Sequence, residues 1–386
     1  MAKWAIPQHS KGQVNRAGEA LASTAFSSVS PIERAEVLNV VNNWRAVHSY
    51  PQHLMKITLQ RRAKTIDDHS ICAQRLKRLP SIIIKLRRNP NMKLSQMQDI
   101  GGCRAIVPTL DHLTRLIDVH EEAIRKNPPR KGDKPITRSG WDLVERYDYI
   151  KEPKIDGYRS YHYVFKYLSK WAVNKPYIGL RLEVQLRTQY QHYWATAVEA
   201  VSIFTEQALK SGIGSPDWKR FFALMGSAIA MREGCPLVPD TPSDPGELVS
   251  EIGFLYDELQ VEMVLQGITA TVRMRSEHGA EAFLLVLDAK QKSLDIKGYK
   301  ATELNDANQE YLIVEERYVD DPTVQAVLVS VDSLTTLESA YPNYYLDTAE
   351  FLNLVRRVIS EDPYSDFGVS SYVARSQKSL FPSPSS

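Results

Sequence analysis

From Leu180 to Arg187 the chain alternates apolar and polar at every step: Leu-Arg-Leu-Glu-Val-Gln-Leu-Arg. Leu180, Leu182, Val184 and Leu186 therefore share one face of a strand, and Arg181, Glu183, Gln185 and Arg187 share the other. Strand-like runs also cover residues 104–108 and 160–168. Helical spacing begins at Ser30-Pro31-Ile32-Glu33, with Ser as N-cap, Pro at the first helical position and Glu at the third, and continues to about residue 60. Further helices are expected near 70–88 (ending at Asn89-Pro90), 110–126 and 189–210, with a basic Pro/Gly loop over 127–135. This order predicts an α/β (α+β) fold, a mixed sheet covered by helices.

Pro236, Pro239, Pro242 and Pro245 are too dense for a helix or a central strand and mark a boundary. The expected organisation is a first domain over 1–235, a Pro-rich linker over 236–246, a smaller α/β domain over 247–365 and a Ser-rich tail over 366–386. In the second domain a helix is expected near 247–267, strands near 282–288, 310–317 and 323–331, and helices near 333–341 and 347–359. Asp347 with Glu350 gives the last of these a capping-box-like start.

Composition narrows the function. With 386 residues and 43% hydrophobic content the chain has room for about two ordinary cores. No run approaches the ~20 apolar residues that cross a bilayer, and the first residues carry no apolar signal segment, so a cytoplasmic protein away from membranes is expected. Cys72, Cys103 and Cys235 are too few and too scattered for a disulfide framework or a paired-cysteine zinc site. The net charge of +2 hides a division: residues 1–250 hold 37 Lys+Arg against 24 Asp+Glu, and residues 251–386 hold 11 against 22. A polyanionic partner suits the basic part, and the acidic part is a candidate competitor for the same surface.

Four segments carry chemistry. Asp99 stands before the Gly101-Gly102 pair and a strand, and Glu183 lies on the polar face of the alternating strand; two such carboxylates suit Mg²⁺ bound to a nucleotide, which takes one or two carboxylates plus phosphate oxygens and water. In Asp148–His162, Gly157 sets a tight turn that presents Tyr158 as a stacking platform, worth ~1–3 kcal/mol per base. Ser160 and His162 then face one side of the following strand and Tyr161 and Tyr163 the other. In Arg75–Arg88, Arg78, Ser81 or Ile82, and Lys85 lie about one helical turn apart, a basic face for triphosphate.

Together the four segments resemble the synthetase domain of the RelA/SpoT (alarmone synthetase) family over about residues 45–210. The resemblance rests on R-x-K-x3-S-x3-K at Arg75, Lys77, Ser81 and Lys85, and on D-x-x-G-x-R at Asp99, Gly102 and Arg104. It rests also on the D-Y-I-x2-P-K-x2-G-Y-x-S-x-H loop and on E-x-Q-x-R-T at Glu183, Gln185, Arg187 and Thr188. It implies a nucleotidyltransferase-like enzyme that moves the β,γ-pyrophosphate of ATP to a ribose 3′-hydroxyl and releases AMP. Asp99 and Glu183 resemble the Mg²⁺ ligands, Glu183 also being placed to take the hydroxyl proton. Arg75 and Arg104 would flank the adenine and phosphates. Lys77, Ser81 and Lys85 would hold phosphates, with Gln185 and Arg187 also at the nucleotide site. Tyr158 would stack on the acceptor base, and His162 would lie near acceptor phosphate.

Departures from the family shape the finer expectation. No His-Asp hydrolase pair precedes the synthetase segments, and residues 251–386 contain no Cys and only His278, which excludes a zinc site by ligand count. Asp156 stands where the family commonly has Asn before the Gly-Tyr pair, which puts free GDP or GTP as acceptor in question. The pattern resembles the toxic branch that modifies the 3′-terminal adenosine of tRNA, in its fused CapRel-type form. There a zinc-finger-like domain without zinc ligands shuts the site with a Tyr-x-x-Tyr motif, matched here by Tyr341-Pro342-Asn343-Tyr344. The expected reading is a tRNA pyrophosphokinase inhibited by its own C-terminal domain and released when a phage protein, such as a structural one, binds that domain. The rivals are a (p)ppGpp or (p)ppApp synthetase and an inactive tRNA-binding protein.

Overall fold

The computed structural model describes residues 4–126, 140–208, 215–267, 271–275, 280, 282–288, 290–291, 293–318, 321, 323–330 and 348–361. Ser10 and Ser30 each close a capping box, with Gln13 and Glu33, and so start α1 (Lys11–Ala22) and α2 (Pro31–Val47). α3 (Ser49–Lys64), β1 (Ile71–Leu76), α4 (Leu79–Arg88), β2 (Gly101–Val107) and α5 (Leu110–Lys126) follow. Next come β3 (Trp141–Asp148), β4 (Tyr161–Tyr167), β5 (Arg181–Thr188), α6 (Gln189–Ala208) and α7 (Ser215–Glu233). The chain continues through α8 (Pro245–Glu258), α9 (Val261–Gly267), β6 (Thr271–Arg275), β7 (Ala282–Asp288) and β8 (Ser293–Tyr299). It closes with α10 (Leu304–Arg317), β9 (Val324–Ser330) and α11 (Ala349–Ser360).

Among the described residues the strands form one mixed sheet in the order β3-β4-β5-β2-β1-β9-β7-β8-β6. β2 runs parallel to β5 and β6 to β8; the other pairs are antiparallel. The mixed sheet under helices is as expected, and so are β4, β5, α5, β7, β9 and α11 to within a residue or two. The Pro-rich stretch does not interrupt the sheet. β9 returns to pair with β1 through Gln74↔Ser330 and Arg75↔Val329. Its prolines do local work: the Pro236 carbonyl accepts from Arg159, and Pro245 opens α8 behind the Asp244 N-cap.

Two expected elements are corrected. Residues 70–88 are not one helix: Ile71–Leu76 is strand β1, and the helix begins only at Leu79. Pro80 at the first turn makes a start there favourable and continuation from upstream unfavourable, while β1 gains partners on both sides. Residues 310–317 are not a strand but the end of α10. Ala307, Tyr311 and Glu315 recur every four residues and are the buried positions, a helical period that the apolar run Leu312-Ile313-Val314 obscures. β3, β6, β8, α1 and α7 were not anticipated, and the helix expected over 247–267 is broken at Gln260, which has φ 48°. The helix expected near 333–341 lies outside the described residues.

The core also crosses the change in charge. Trp194, Phe222 and Leu224 of α6 and α7 share one buried cluster with Phe283, Val327, Phe351 and Leu352, and the rings of Phe222 and Phe351 lie 5.7 Å apart. Docking of the acidic part therefore rests on apolar burial as well as charge. A second cluster fills the other face of the sheet under α3 and α5, taking Leu182, Val184 and Leu186 from β5 and Tyr161 and Tyr163 from β4. Burial of those side chains points Glu183, Gln185 and His162 the opposite way.

Candidate active site

The sheet register lines up the polar face. One row across the strands runs Tyr147, His162, Gln185, Arg104; the next runs Glu145, Val164, Glu183, Gly102, Arg75. Strands stand ~4.8 Å apart, so Glu183 on β5 sits between the arginines of β1 and β2 on one side and the aromatic residues of β4 and β3 on the other. Arg75, Lys77, Ser81, Asp99, Arg104, Glu183 and Gln185 line one cleft, of about 560 Å³ including the space open to solvent. Gly102, also in its lining, leaves room between Arg75 and Glu183.

Asp99 pairs with two lysines. Its Oδ2 lies 2.8 Å from Lys77 Nζ and its Oδ1 3.0 Å from Lys85 Nζ. Glu183 accepts from the Gln185 amide at 2.7 Å and faces His162 Nδ1 at 3.0 Å. Burial pushes the Glu183 carboxyl up, but His162, the Gln185 amide and the Lys85 ammonium more than offset it and bring it down to about 2. Asp99 and Glu183 thus present negative charge to the same cleft, in a donor set that fits Mg²⁺ carried by a polyphosphate. Among the described residues no three His, Cys, Asp or Glu side chains gather as a self-sufficient metal site, so the remaining ligands would come from substrate and water.

The loop after β3 sets aromatic residues beside the cleft, where His162 meets Glu183. The Tyr158 hydroxyl lies 2.8 Å from His162 Nε2 and accepts from Arg187 Nη2 at 2.7 Å, and that guanidinium stands 5.2 Å from the ring centroid. Gly157 has φ +94°, and a Cβ there would lie 2.7 Å from the Phe222 carbonyl and 2.9 Å from Trp194. Gly157→Ala should therefore lower stability by more than about 1 kcal/mol and weaken acceptor use, read by thermal melting and by rate. An unchanged melting temperature would show that the loop does not need its seat on α7. Asp156 is explained locally: its Oδ1 accepts the Tyr158 backbone N–H at 3.0 Å. An Asn oxygen would make the same bond, so this departure from the family pattern shapes the turn and says little about the acceptor.

Glu199 of α6, which belongs to none of the four segments, also stands at the site. It lies 3.1 Å from Arg78 and 3.7 Å from Arg75. Burial pushes its carboxyl up, but Arg75, Arg78, Arg104 and Arg187 together hold it below the usual carboxylate range. A single Glu in an amphipathic helix carries no motif, and only the fold brings it to those arginines. The acidic part is expected to meet this surface, but the residues through which it does so carry no motif. Gln325 of β9 bonds Arg78, and Glu315 of α10 accepts the Leu79 N–H at 3.0 Å, at the start of the helix that carries Ser81 and Lys85. Tyr341 and Tyr344 lie outside the described residues.

The charged residues that line this cleft fall within a segment that matches a known family. Residues 74–208 match the family described as the region found in RelA / SpoT proteins. This segment is therefore similar to the region that RelA and SpoT proteins share. One relative is the GTP pyrophosphokinase YjbM of Bacillus subtilis (strain 168), 32% identical over 135 residues. The matched stretch is 34% of this chain and spans only 56% of that relative. Solved structures with looser likeness include small alarmone synthetase 1 of Bacillus subtilis bound to its product pppGpp, at 24% identity and TM-score 0.34 over 55% of this chain and 95% of that one. Another is a GTP pyrophosphokinase family protein from Streptococcus pneumoniae, at 21% identity and TM-score 0.32 over 56% and 94%. No described helix is long and apolar enough to cross a membrane.

Proposed function

We propose that the chain is an ATP-dependent pyrophosphokinase. The observation that carries this reading is the convergence of Asp99, Glu183, Lys77, Ser81, Arg75 and Arg104 on one cleft, matching the residue types that a transferred polyphosphate needs. The acceptor's 3′-hydroxyl oxygen bonds to the β-phosphorus of ATP, the bond from that phosphorus to the α,β-bridging oxygen breaks, and AMP leaves. Arg75 and Arg104 hold the donor, while Lys77, Lys85 and Ser81 neutralise and orient its phosphates. Asp99 and Glu183 would hold Mg²⁺, which supplies charge neutralisation on the polyphosphate when bound. The hydroxyl proton passes to Glu183 and from there to water; because that carboxyl lies at about 2 it keeps the proton only briefly, and His162 is oriented between it and Tyr158.

Two acceptors fit. A guanosine nucleotide is favoured by the matched relative, a GTP pyrophosphokinase. The 3′ end of an RNA such as tRNA is favoured by the excess of 37 basic over 24 acidic residues in positions 1–250. The test is AMP release and label transfer from ATP carrying a labelled terminal phosphate, offered GDP, GTP, ATP or tRNA. Transfer to tRNA that falls steeply with added salt supports the RNA reading, because phosphate contacts release counterions. Efficient use of GDP with a flat salt response supports alarmone synthesis. No AMP formed with any acceptor overturns the enzyme reading in favour of a tRNA-binding protein.

We further read the C-terminal part as the site's restraint. In support, Gln325, Glu315 and the β1–β9 pairing bear on Arg78, the start of α4 and Arg75. A protein that binds only the released face, a phage protein on this reading, would shift the balance by its differential affinity alone.

A further inference from the structure

The aromatic side of the cleft does not end at Tyr158. Tyr147 lies on β3, the edge strand, and Tyr149 follows one residue past its end. Their rings are parallel, with centroids 5.8 Å apart. Tyr149 in turn stands edge-on to Tyr158, 5.9 Å away at 69°, and to His162, 5.2 Å away at 90°. The Lys154 ammonium lies 4.5 Å from the Tyr149 centroid and 5.1 Å from that of Tyr158. Tyr147 is 36% exposed, although it sits in the same cross-strand row as His162 and Gln185. Its hydroxyl bonds Glu145 on its own strand, which orients the ring without burying it.

Two ring surfaces with a cation over the gap between them match a unit of base, phosphate and base. One acceptor nucleotide, stacked on Tyr158 with its hydroxyl toward Glu183, leaves Lys154 and the Tyr149–Tyr147 pair without a role. Two strand spacings of ~4.8 Å separate β5 from β3, so a chain leaving Tyr158 for the sheet edge passes over these groups. We propose that Tyr147, Tyr149 and Lys154 form a second acceptor subsite, which takes the nucleotide preceding the 3′ terminus of an RNA acceptor. This rests on the reading of the cleft as an acceptor site and commits it to a polynucleotide. Stacking contributes ~1–3 kcal/mol per base whatever the base, so the subsite would read chain continuity rather than sequence.

The test is direct binding of fluorescent RNA trinucleotides, and of the matching 3′-terminal nucleoside monophosphate, to full-length protein carrying Glu183→Gln so that no turnover intervenes. The trinucleotide should bind more tightly than the monophosphate. Tyr147→Ala should cut that advantage by about 5- to 150-fold, the span that stacking energies imply. Tyr147→Phe, which keeps the ring and removes the hydroxyl bond to Glu145, should retain it. Tyr147→Leu keeps apolar bulk without a ring and should behave as the Ala variant, which guards against a folding defect in either. The proposal is overturned if the trinucleotide binds no better than the monophosphate, if Tyr147→Ala weakens both equally, or if Tyr147→Leu behaves as wild type. Because the readout is binding, it survives failure of the pyrophosphokinase reading. An enzyme that transfers to GDP yet shows no advantage for the trinucleotide would lose this subsite alone.

Discussion

Replacing Glu183 with Gln should lower pyrophosphate transfer by about 10³-fold, since several kcal/mol of charge neutralisation on the polyphosphate disappear while the side-chain shape is kept. Asp99→Asn should do the same, and it also leaves Lys77 and Lys85 without their shared anion. Neither change opens a cavity, so melting temperatures should move by only a few degrees. Steady-state AMP release and circular dichroism check the two halves of this expectation. Acidity offers a further control. The folded-state pKa of Glu183 is about 2 against an ordinary value of 4.5, so its contribution to stability is complete above 4.5 and is lost as pH falls toward 2. The carboxylate is therefore ionised at every ordinary assay pH, and raising the pH should rescue neither a mildly acid-inhibited wild type nor the Gln variant through this group. Wild-type turnover in either variant would remove these carboxylates from the reaction.

The second large effect is expected at Arg45, which is completely buried. Its guanidinium lies 2.5 Å from Glu315, donates to the Tyr311 hydroxyl at 2.5 Å and reaches the Lys77 carbonyl at 3.0 Å. The cluster ties α10 to α2 and to the segment that opens α4. Arg45→Met strands the Glu315 carboxylate and Glu315→Gln strands the guanidinium, and breaking one side of a buried pair costs about 3–5 kcal/mol. The double variant should lose less than the sum of the two, a coupling that urea unfolding of all four proteins would measure. If the acidic part restrains the site, each single variant should also raise transfer, and growth arrest in cells should follow unless Glu183→Gln is added. Additive effects within about 0.5 kcal/mol would show that the two side chains do not act as a pair. Destabilisation with no gain in transfer would leave the ion pair intact as a finding and remove the restraint.

The chemistry was easier to read from the sequence than the seam. Strict alternation at 180–187 placed Glu183 and Gln185 together because a strand has only two faces and one of them had to be apolar. Asp99 stood out as a carboxylate before a glycine pair and a strand, whereas Arg75 and Lys77 were named through the family resemblance, in a stretch expected to be helical; all three line the one cleft. The boundaries of β1 and α10 were not. β1 is six residues long and is followed within two residues by a basic helix, and the last turns of α10 hold three consecutive apolar residues, Leu312-Ile313-Val314, two of them β-branched, that read as a strand. Glu315 and Gln325 escaped notice because their partners lie more than two hundred residues away, a distance that only tertiary structure closes. Glu199 needed the same closure. The charge step near residue 250 was visible, but the apolar cluster shared by Phe222 and Phe351 was not, since each residue alone reads as the core of its own part.

The pairing of β1 with β9 has a consequence for any form of the protein in which the acidic part has let go. β1 would then become the outer strand of a five-stranded catalytic sheet, with the backbone groups of Gln74 and Arg75 turned to solvent where Ser330 and Val329 had met them. Such an edge accepts any extended segment that offers a complementary ladder, whether from a foreign chain or from a second activated copy. The liberated molecule is thus sticky along one line, and that line runs through Arg75. An activator that supplied a strand of its own could cap the edge as it displaced β9. An uncapped molecule would tend to pair with its own kind, so that release without a replacement partner leads toward self-association and limits how long the active form persists.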